Sequence, residues 1–319
     1  MGQVFKVSGH DDGRRLDKII RKKWPDLPLA AMMRAFRKGL VRVDGRRVEC
    51  SSRVVEGNSV TVPWDDAVVE TPKPFLSRLR GSSSTIDIIY ADNDICIVNK
   101  PWNLLSQPDL KGGESVISRV MTTLGWKDTS FFPTPVHRLD RNTSGAMALA
   151  LNGVVLRMLH EAWRKENVQK AYLALVIGET PEDGEVDSPL LKSGEDNIVG
   201  IDASRGRKAL TRFRKISGDS SISLLLVELL TGRPHQARVH LASIGHPLIG
   251  DIKYGDRKAN AEWRLLGVQR PMLHSRSLEF RNLSAALGHL SGKKYLAIPP
   301  ADFMGVLSGK GWRLYGRGV

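Results

Sequence analysis

Apolar positions recur with two different periods along this chain, and the changes of period mark its parts. From Arg14 onward, Leu16, Ile19, Ile20 and Trp24 fall at helical spacing, with Arg15, Lys18, Arg21, Lys22 and Lys23 between them. A second helical run follows Pro28: Met32, Met33, Phe36 and Leu40 are apolar, Arg34, Arg37 and Lys38 are not, and Gly39 closes the run. Val41, Val43 and Val48 then flank Asp44-Gly45, a strong two-residue hairpin signal. Gly57-Asn58 turns the chain into one more strand, Ser59-Val60-Thr61-Val62. Residues 1–64 therefore read as a compact module, two basic helices on a small hairpin sheet with one positive face.

Residues 65–84 lose both periods. Pro72, Pro74, Gly81 and the run Ser82-Ser83-Ser84 predict a linker. From Ile86 the pattern becomes strand-rich, with short β-like runs at Ile86–Tyr90 and Ile95–Val98. Ala146–Leu151 is a further apolar run, Val155–Arg164 reads as a helix, and Lys170–Ile177 and Ser221–Leu230 read as buried strands. Helices and strands mix without a regular βαβ repeat. The predicted class is α+β, with a mixed, mainly antiparallel sheet filling residues 85–319.

Charge sharpens this picture. The formal net charge is +14 over 319 residues, with a pI near 9.9. Residues 1–64 hold fourteen Lys and Arg against seven Asp and Glu, half of the excess in about a fifth of the chain. Such a basic balance points to a polyanionic partner, nucleic acid or an anionic membrane. No stretch approaches the ~20 apolar residues of a membrane span. The first residues carry neither a signal-peptide core nor, with Lys6, a myristoylation pattern. Cys50 and Cys96 are isolated and form neither a disulfide framework nor a metal-type pair. A reducing, cytoplasmic compartment is expected.

Three long motifs follow in order. His137-Arg138-Leu139-Asp140-Arg141-Asn142-Thr143-Ser144-Gly145 places a carboxylate on a loop before the strand at Ala146. The strand Lys170–Gly178 displays one tyrosine, Tyr172. Leu229–Leu241 contains Thr231-Gly232-Arg233-Pro234-His235-Gln236-Ala237-Arg238 and runs on to Gly250-Asp251 and Tyr254-Gly255. Read without further context, Asp140 and Arg233 could be a structural ion pair and Tyr172 a core residue. The residues His235, His240 and His246 lack the spacing of a helical ligand pair and have no Cys or acidic cluster nearby, so a metal is not expected.

From about Ile86 to Phe280 the three motifs resemble the RluA-type pseudouridine synthase family, and residues 13–63 resemble an S4 RNA-binding domain. The resemblance implies an enzyme that isomerises uridine to pseudouridine in structured RNA. Ribosomal RNA of the large subunit is favoured by the S4-fronted layout, with transfer RNA as the alternative. That reaction breaks N1–C1′, turns the base and joins C5 to C1′; nothing is oxidised and no group is gained, so no cofactor is expected. The target base must leave its stack to be reached.

Residue by residue, the resemblance implies that Asp140 is the nucleophile and that Tyr172 stacks on the uracil and takes part in proton transfer. Arg233 would pair with Asp140, holding it ionised and aimed, and Arg138 would help open the RNA. Arg15, Lys18, Arg34, Arg37, Lys38 and Arg42 are the expected RNA contacts of the basic module. His137 and His235 are expected to organise loops, and Asp251 with Tyr254 to be architectural. Ala237 stands where a larger aliphatic is common, and Ser106-Gln107-Pro108 replaces a His- or Gly-bearing stretch after Asn99-Lys100-Pro101. A monomer is the default. The competing reading is an RNA-binding ribosome-assembly factor with little catalysis; a metal-dependent hydrolase is a third.

Overall fold

The computed structural model describes residues 2–24, 27, 29–64, 84–109, 113–128, 131–193 and 198–314. The linker expected over 65–84 falls, for residues 65–83, outside the described residues.

In the N-terminal segment the helices and the hairpin form where the periodicities predict them. Helices α1 (Leu16–Lys23) and α2 (Leu29–Arg37) pack on an antiparallel sheet of order β1-β4-β2-β3, with β1 Gln3–Lys6, β2 Arg42–Val43, β3 Arg46–Arg47 and β4 Ser59–Val62. The predicted hairpin turn takes positive φ at both central residues, Asp44 at 47° and Gly45 at 75°. That is the mirror-image turn whose twist suits antiparallel strands. Leu16, Ile19, Ile20, Trp24, Met32, Phe36, Val41 and Val60 form its core. The module seats on the rest of the chain through the 3-10 turn Gly9–Asp11: His10 stacks on Phe131 with centroids 5.6 Å apart, and Asp12 lies 3.8 Å from Arg157.

The larger unit is built on one ten-stranded sheet. Its main path runs β10 (Asp183–Asp187), β13 (Leu210–Gly218), β14 (Ile222–Leu229), β9 (Val168–Ile177), β15 (Leu273–Phe280), β8 (Ser144–Ala150), β6 (Ile95–Lys100) and β5 (Asp87–Ala91). Strand β16 (Lys294–Leu296) adds to β15, and β7 (Thr134–Pro135) adds to β8. A separate pair joins β11 (Leu190–Lys192) to β12 (Val199–Ile201). Within the sheet the pairing of β15 with β8 is parallel and the other described pairings are antiparallel. The expected α+β class with a mainly antiparallel mixed sheet is what forms.

Alternation along the strands divides the core into two faces. On β9, Tyr172, Ala174 and Val176 face a cluster with Leu139, Leu225 and Val227, covered by α3 (Val116–Thr123) and α5 (Gln236–Ser243). Ala171, Leu173 and Leu175 face the opposite way, against Phe303 and Leu307 of α7 (Ala301–Gly309). On β8, Met147 and Leu149 join the first face. The small Ala146, Ala148 and Ala150 of the same strand pack with Val155, Leu159 and Ala162 of α4 (Gly153–Arg164). Helix α6 (Arg257–Leu265) lies at the surface and buries no residue fully.

Gly145 shows how tightly β8 and β15 meet. Its φ is +114°, and a Cβ there would overlap the Ser275 carbonyl oxygen across the parallel pairing. Both the backbone angle and the space require glycine. The variant Gly145→Ala is expected to lose more than about 1 kcal/mol of stability, read as a lower urea midpoint; an unchanged midpoint would refute the steric argument.

Candidate active site

Asp140 lies on the loop that enters β8, and buried side chains hold the backbone on both sides of it. The Ser106 hydroxyl donates to the Leu139 carbonyl at 2.8 Å and accepts from the Leu139 N–H at 3.2 Å. The Lys100 ammonium donates to the carbonyls of Arg141 at 3.0 Å and Pro101 at 2.9 Å. Arg270, fully buried and bridged to Asp302 at 2.6 and 3.1 Å, donates to the Asn142 carbonyl at 3.3 Å. Thr143 N–H closes the turn on the Asp140 carbonyl at 3.0 Å. Fixing the main chain in this way points the Asp140 side chain outward, where it keeps 34% exposure.

The partner of that carboxylate is Arg238. Its Nη1 donates to Asp140 Oδ2 at 3.3 Å, while Nε and Nη2 grip Asp251, each at 2.7 Å. Asp251 is almost wholly buried, with 1% of its side chain exposed, so the pair it forms with Arg238 is a fixed bracket. The Arg238 guanidinium also stacks over the Tyr254 ring, 5.0 Å from its centroid. His235 Nε2 lies 3.9 Å from Asp140 Oδ2, and its Nδ1 bonds the Tyr254 hydroxyl at 2.7 Å. His235 precedes α5 with a left-handed φ of 53°, a strained conformation of the kind that collects at functional sites.

The expected pairing of Arg233 with Asp140 is corrected here. No ion pair joins them; Arg233 Nε instead donates to the Lys208 carbonyl at 2.9 Å. The reason is local. Gln236 Oε1 accepts from the Arg233 N–H and the Thr231 hydroxyl, and its amide bonds Leu210 and Thr211. This folds the segment Thr231–Arg233 into a turn before α5 starts, while Arg238, inside the helix, reaches the carboxylate.

Tyr172 sits where the motif predicts, on the site face of β9 between Val227 and Ser275. Its ring is buried. Burial pushes the phenol up to about 12, the Asp140 charge adds to this, and a hydrogen bond with Ser275 opposes it. The hydroxyl therefore stays protonated at neutral pH, and the ring packs in the apolar cluster on this face of the sheet. Arg138 is exposed beside this site. In the N-terminal module Arg15, Lys18, Arg34, Arg37, Lys38 and Arg42 are all exposed; Arg15 is occupied by Asp17 at 2.9 and 3.1 Å, and Arg42 by the carbonyls of Gly39 and Gly45.

Ser106, Lys100, Arg238 and Arg270 escaped the sequence reading. Arg238 stands in the third motif, three residues past His235, so helical phase was the available signal. Ser106 belongs to the stretch that departs from the common pattern; its hydroxyl is what binds Leu139. Burial pushes the Lys100 amine down to about 7, against the pull of the Asp140 charge. His240 and His246 are occupied by Thr211 and Ser188, and by the Ile177 carbonyl, which gives their positions a structural reason.

His137 accepts from the Ala148 N–H at 3.1 Å and stacks on Trp163, centroids 4.8 Å apart, which locks the loop to α4. Burial lowers His137 to about 3, helped by the charge of Lys170, and His274 to about 4. The unfolded chain would bind these protons near the ordinary 6.5. Between about 6.5 and 4 it holds more protons than the native state, so stability falls as pH drops through that window. Thermal melts should show this slope, and His137→Gln should flatten it; an equal slope in the variant would refute it.

A mixed sheet that carries an arginine-held carboxylate beside a buried tyrosine, in a strongly basic chain, fits an enzyme directed at a polyanionic substrate. The comparisons with known proteins make the class specific. Residues 94–243 match the family model described as RNA pseudouridylate synthase. The ribosomal large subunit pseudouridine synthase C of Vibrio cholerae is 33% identical over 283 residues, covering 87% of this chain and 88% of its own. The protein of the same name from Escherichia coli is 32% identical over 287 residues, covering 87% and 88%. Among solved structures, human RNA pseudouridylate synthase domain containing 4 shares the fold, with a TM-score of 0.57 and 24% identity over 70% of this chain and 92% of that one. The chain belongs to the RluA-type family of RNA pseudouridine synthases, and is an isomerase acting on RNA.

Proposed function

We propose that this enzyme converts uridines of large-subunit ribosomal RNA to pseudouridine, with Asp140 as the nucleophile. The observation that carries the mechanism is the bracket Asp251–Arg238–Asp140. It holds one oxygen of an open carboxylate and leaves the other for substrate. The substrate class follows the names of the relatives in Vibrio cholerae and Escherichia coli.

In this reading the target uridine flips out and its ring lies against Tyr172. The Asp140 carboxylate attacks C1′, the N1–C1′ bond breaks, and the uracil leaves with the electron pair. The base turns in place, C5 attacks C1′ and the bond to Asp140 breaks. The proton on C5 is lost and N1 gains one, so the sum is an isomerisation. Tyr172, protonated at neutral pH, serves as wall and hydrogen-bond donor. Arg138, exposed at the mouth, occupies space vacated in the RNA stack. Residues 1–64 act as an S4 module whose exposed cations hold phosphates outside the site. The free thiols Cys50 and Cys96 suit the reducing cytoplasm.

The test uses ribosomal RNA carrying tritium at uridine C5. Release of tritium to water is the expected result, together with loss of specific pseudouridines from large-subunit RNA when the gene is deleted. Unchanged pseudouridine maps in the deletion strain would refute the assignment and favour an assembly role.

A further inference from the structure

Arg233 does not reach Asp140 and stands in another place. It lines a cleft of about 580 Å³ beside the catalytic loop, together with Arg164, Lys170, Arg212 and Arg281. The walls come from the end of α4, the start of β9, the end of β14 and the turn before α5. Two carboxylates, Glu166 and Glu228, face these five cations, so the lining is net positive. Glu228 is already engaged by the Gln169 amide at 3.1 Å.

Neither Asp140, Tyr172 nor Arg238 lines this cleft, yet each of its walls continues into the active site. Trp163 stacks on His137, three residues before Asp140. Lys170 is two residues before Tyr172 on the same strand. Leu229 packs against the cluster that contains Tyr172 and Leu139. Thr231–Arg233 leads directly into His235, 3.9 Å from the Asp140 carboxylate.

The five cations differ in how they are occupied. Arg212 is paired with Glu185 at 2.5 Å and Arg281 with Glu279 at 2.7 Å. Arg164, Lys170 and Arg233 have no carboxylate within ion-pair distance among the described residues. Lys170 is also largely withdrawn from water, and burial lowers its pKa against the pull of Glu166. A half-buried cation with no carboxylate in ion-pair contact is stabilised when an anion arrives.

We propose that this cleft holds the RNA strand that flanks the target uridine, with its phosphates drawn by Arg164, Lys170 and Arg233. The inference rests on the RNA-modifying reading of the neighbouring site. A continuous polyanion fits better than a small ligand, because the three cations without an ion-paired carboxylate stand on three different walls, the end of α4, the start of β9 and the turn before α5. Phosphate contacts of this kind set register without reading sequence.

Binding of a uridine-rich single-stranded RNA oligonucleotide to the full chain tests this, with affinity measured across a salt series. That measurement involves no turnover, so a failure of the isomerase assignment leaves it readable. The double variant Arg164→Gln/Arg233→Gln should bind more weakly and lose about 1.4 from the slope of log K against log salt, about 0.7 for each phosphate contact on a single strand. Arg164 is exposed and Arg233 half-buried, and neither belongs to the core, so their loss leaves it intact; adding Lys170→Gln removes a third contact from the wall. Arg205→Gln, which removes an exposed cation paired with Asp202 outside the cleft, should leave the slope near that of the parent. A double variant with the parent's slope and affinity overturns the proposal. So does an Arg205 variant that shifts as far as the double, or lost tritium release with binding unchanged, which would return Arg233 to the chemistry.

Discussion

Replacing Asp140 by Asn should leave a folded protein whose tritium release is at least about 10³-fold slower, a loss of about 4 kcal/mol in transition-state stabilisation. The amide is nearly isosteric with the carboxylate, and the Ser106, Lys100 and Arg270 contacts act on the backbone around it, not on the side chain. The thermal midpoint is therefore expected to stay near that of the parent. RNA affinity should also persist, because the expected phosphate contacts lie elsewhere. The measurement is single-turnover tritium release beside a melting curve. Full activity in the variant would remove Asp140 from the reaction; lost activity with a collapsed melt would make it a structural residue.

Arg238→Met is expected to cost both stability and activity. It strips the counter-charge from Asp251, whose side chain is 1% exposed, and a buried carboxylate left alone typically costs about 3–5 kcal/mol. It also frees Asp140 from the bond that aims it. A displacement of about 1 Å at a reacting group can slow a reaction by roughly 10²-fold. Arg238→Lys keeps the charge and loses the fork that spans two carboxylates, so it should recover part of the stability and little of the rate. Denaturant unfolding and kcat separate the two effects. A methionine variant as stable and as active as the parent would show that the bracket contributes to neither.

How much of this was legible before the fold was known differs by residue. The paired helices and the Asp44-Gly45 hairpin were readable because their causes are local: a 3.6-residue apolar period and a turn that needs positive φ. Asp140 and Tyr172 stood out as candidates because long motifs marked them. Arg233 was misplaced for a physical reason. Its motif lies close to the site, but the Gln236 side chain ties the turn to Leu210 and Thr211, and that contact spans about 25 residues of chain. Ser106 looked like a departure from pattern, and its meaning lay in one hydrogen-bonded neighbour 33 residues away.

Asp140 thus carries two kinds of information. The sequence by itself determined that a carboxylate, a tyrosine and an arginine-bearing motif occur in order in a basic α+β chain, since composition, period and motif are written along one dimension. The tertiary structure alone decided which arginine reaches Asp140, what holds its loop, and that Arg233 faces a separate cationic cleft. Those outcomes depend on strand register and helix phase bringing residues about 100 positions apart to within hydrogen-bond distance, and no local period encodes that approach.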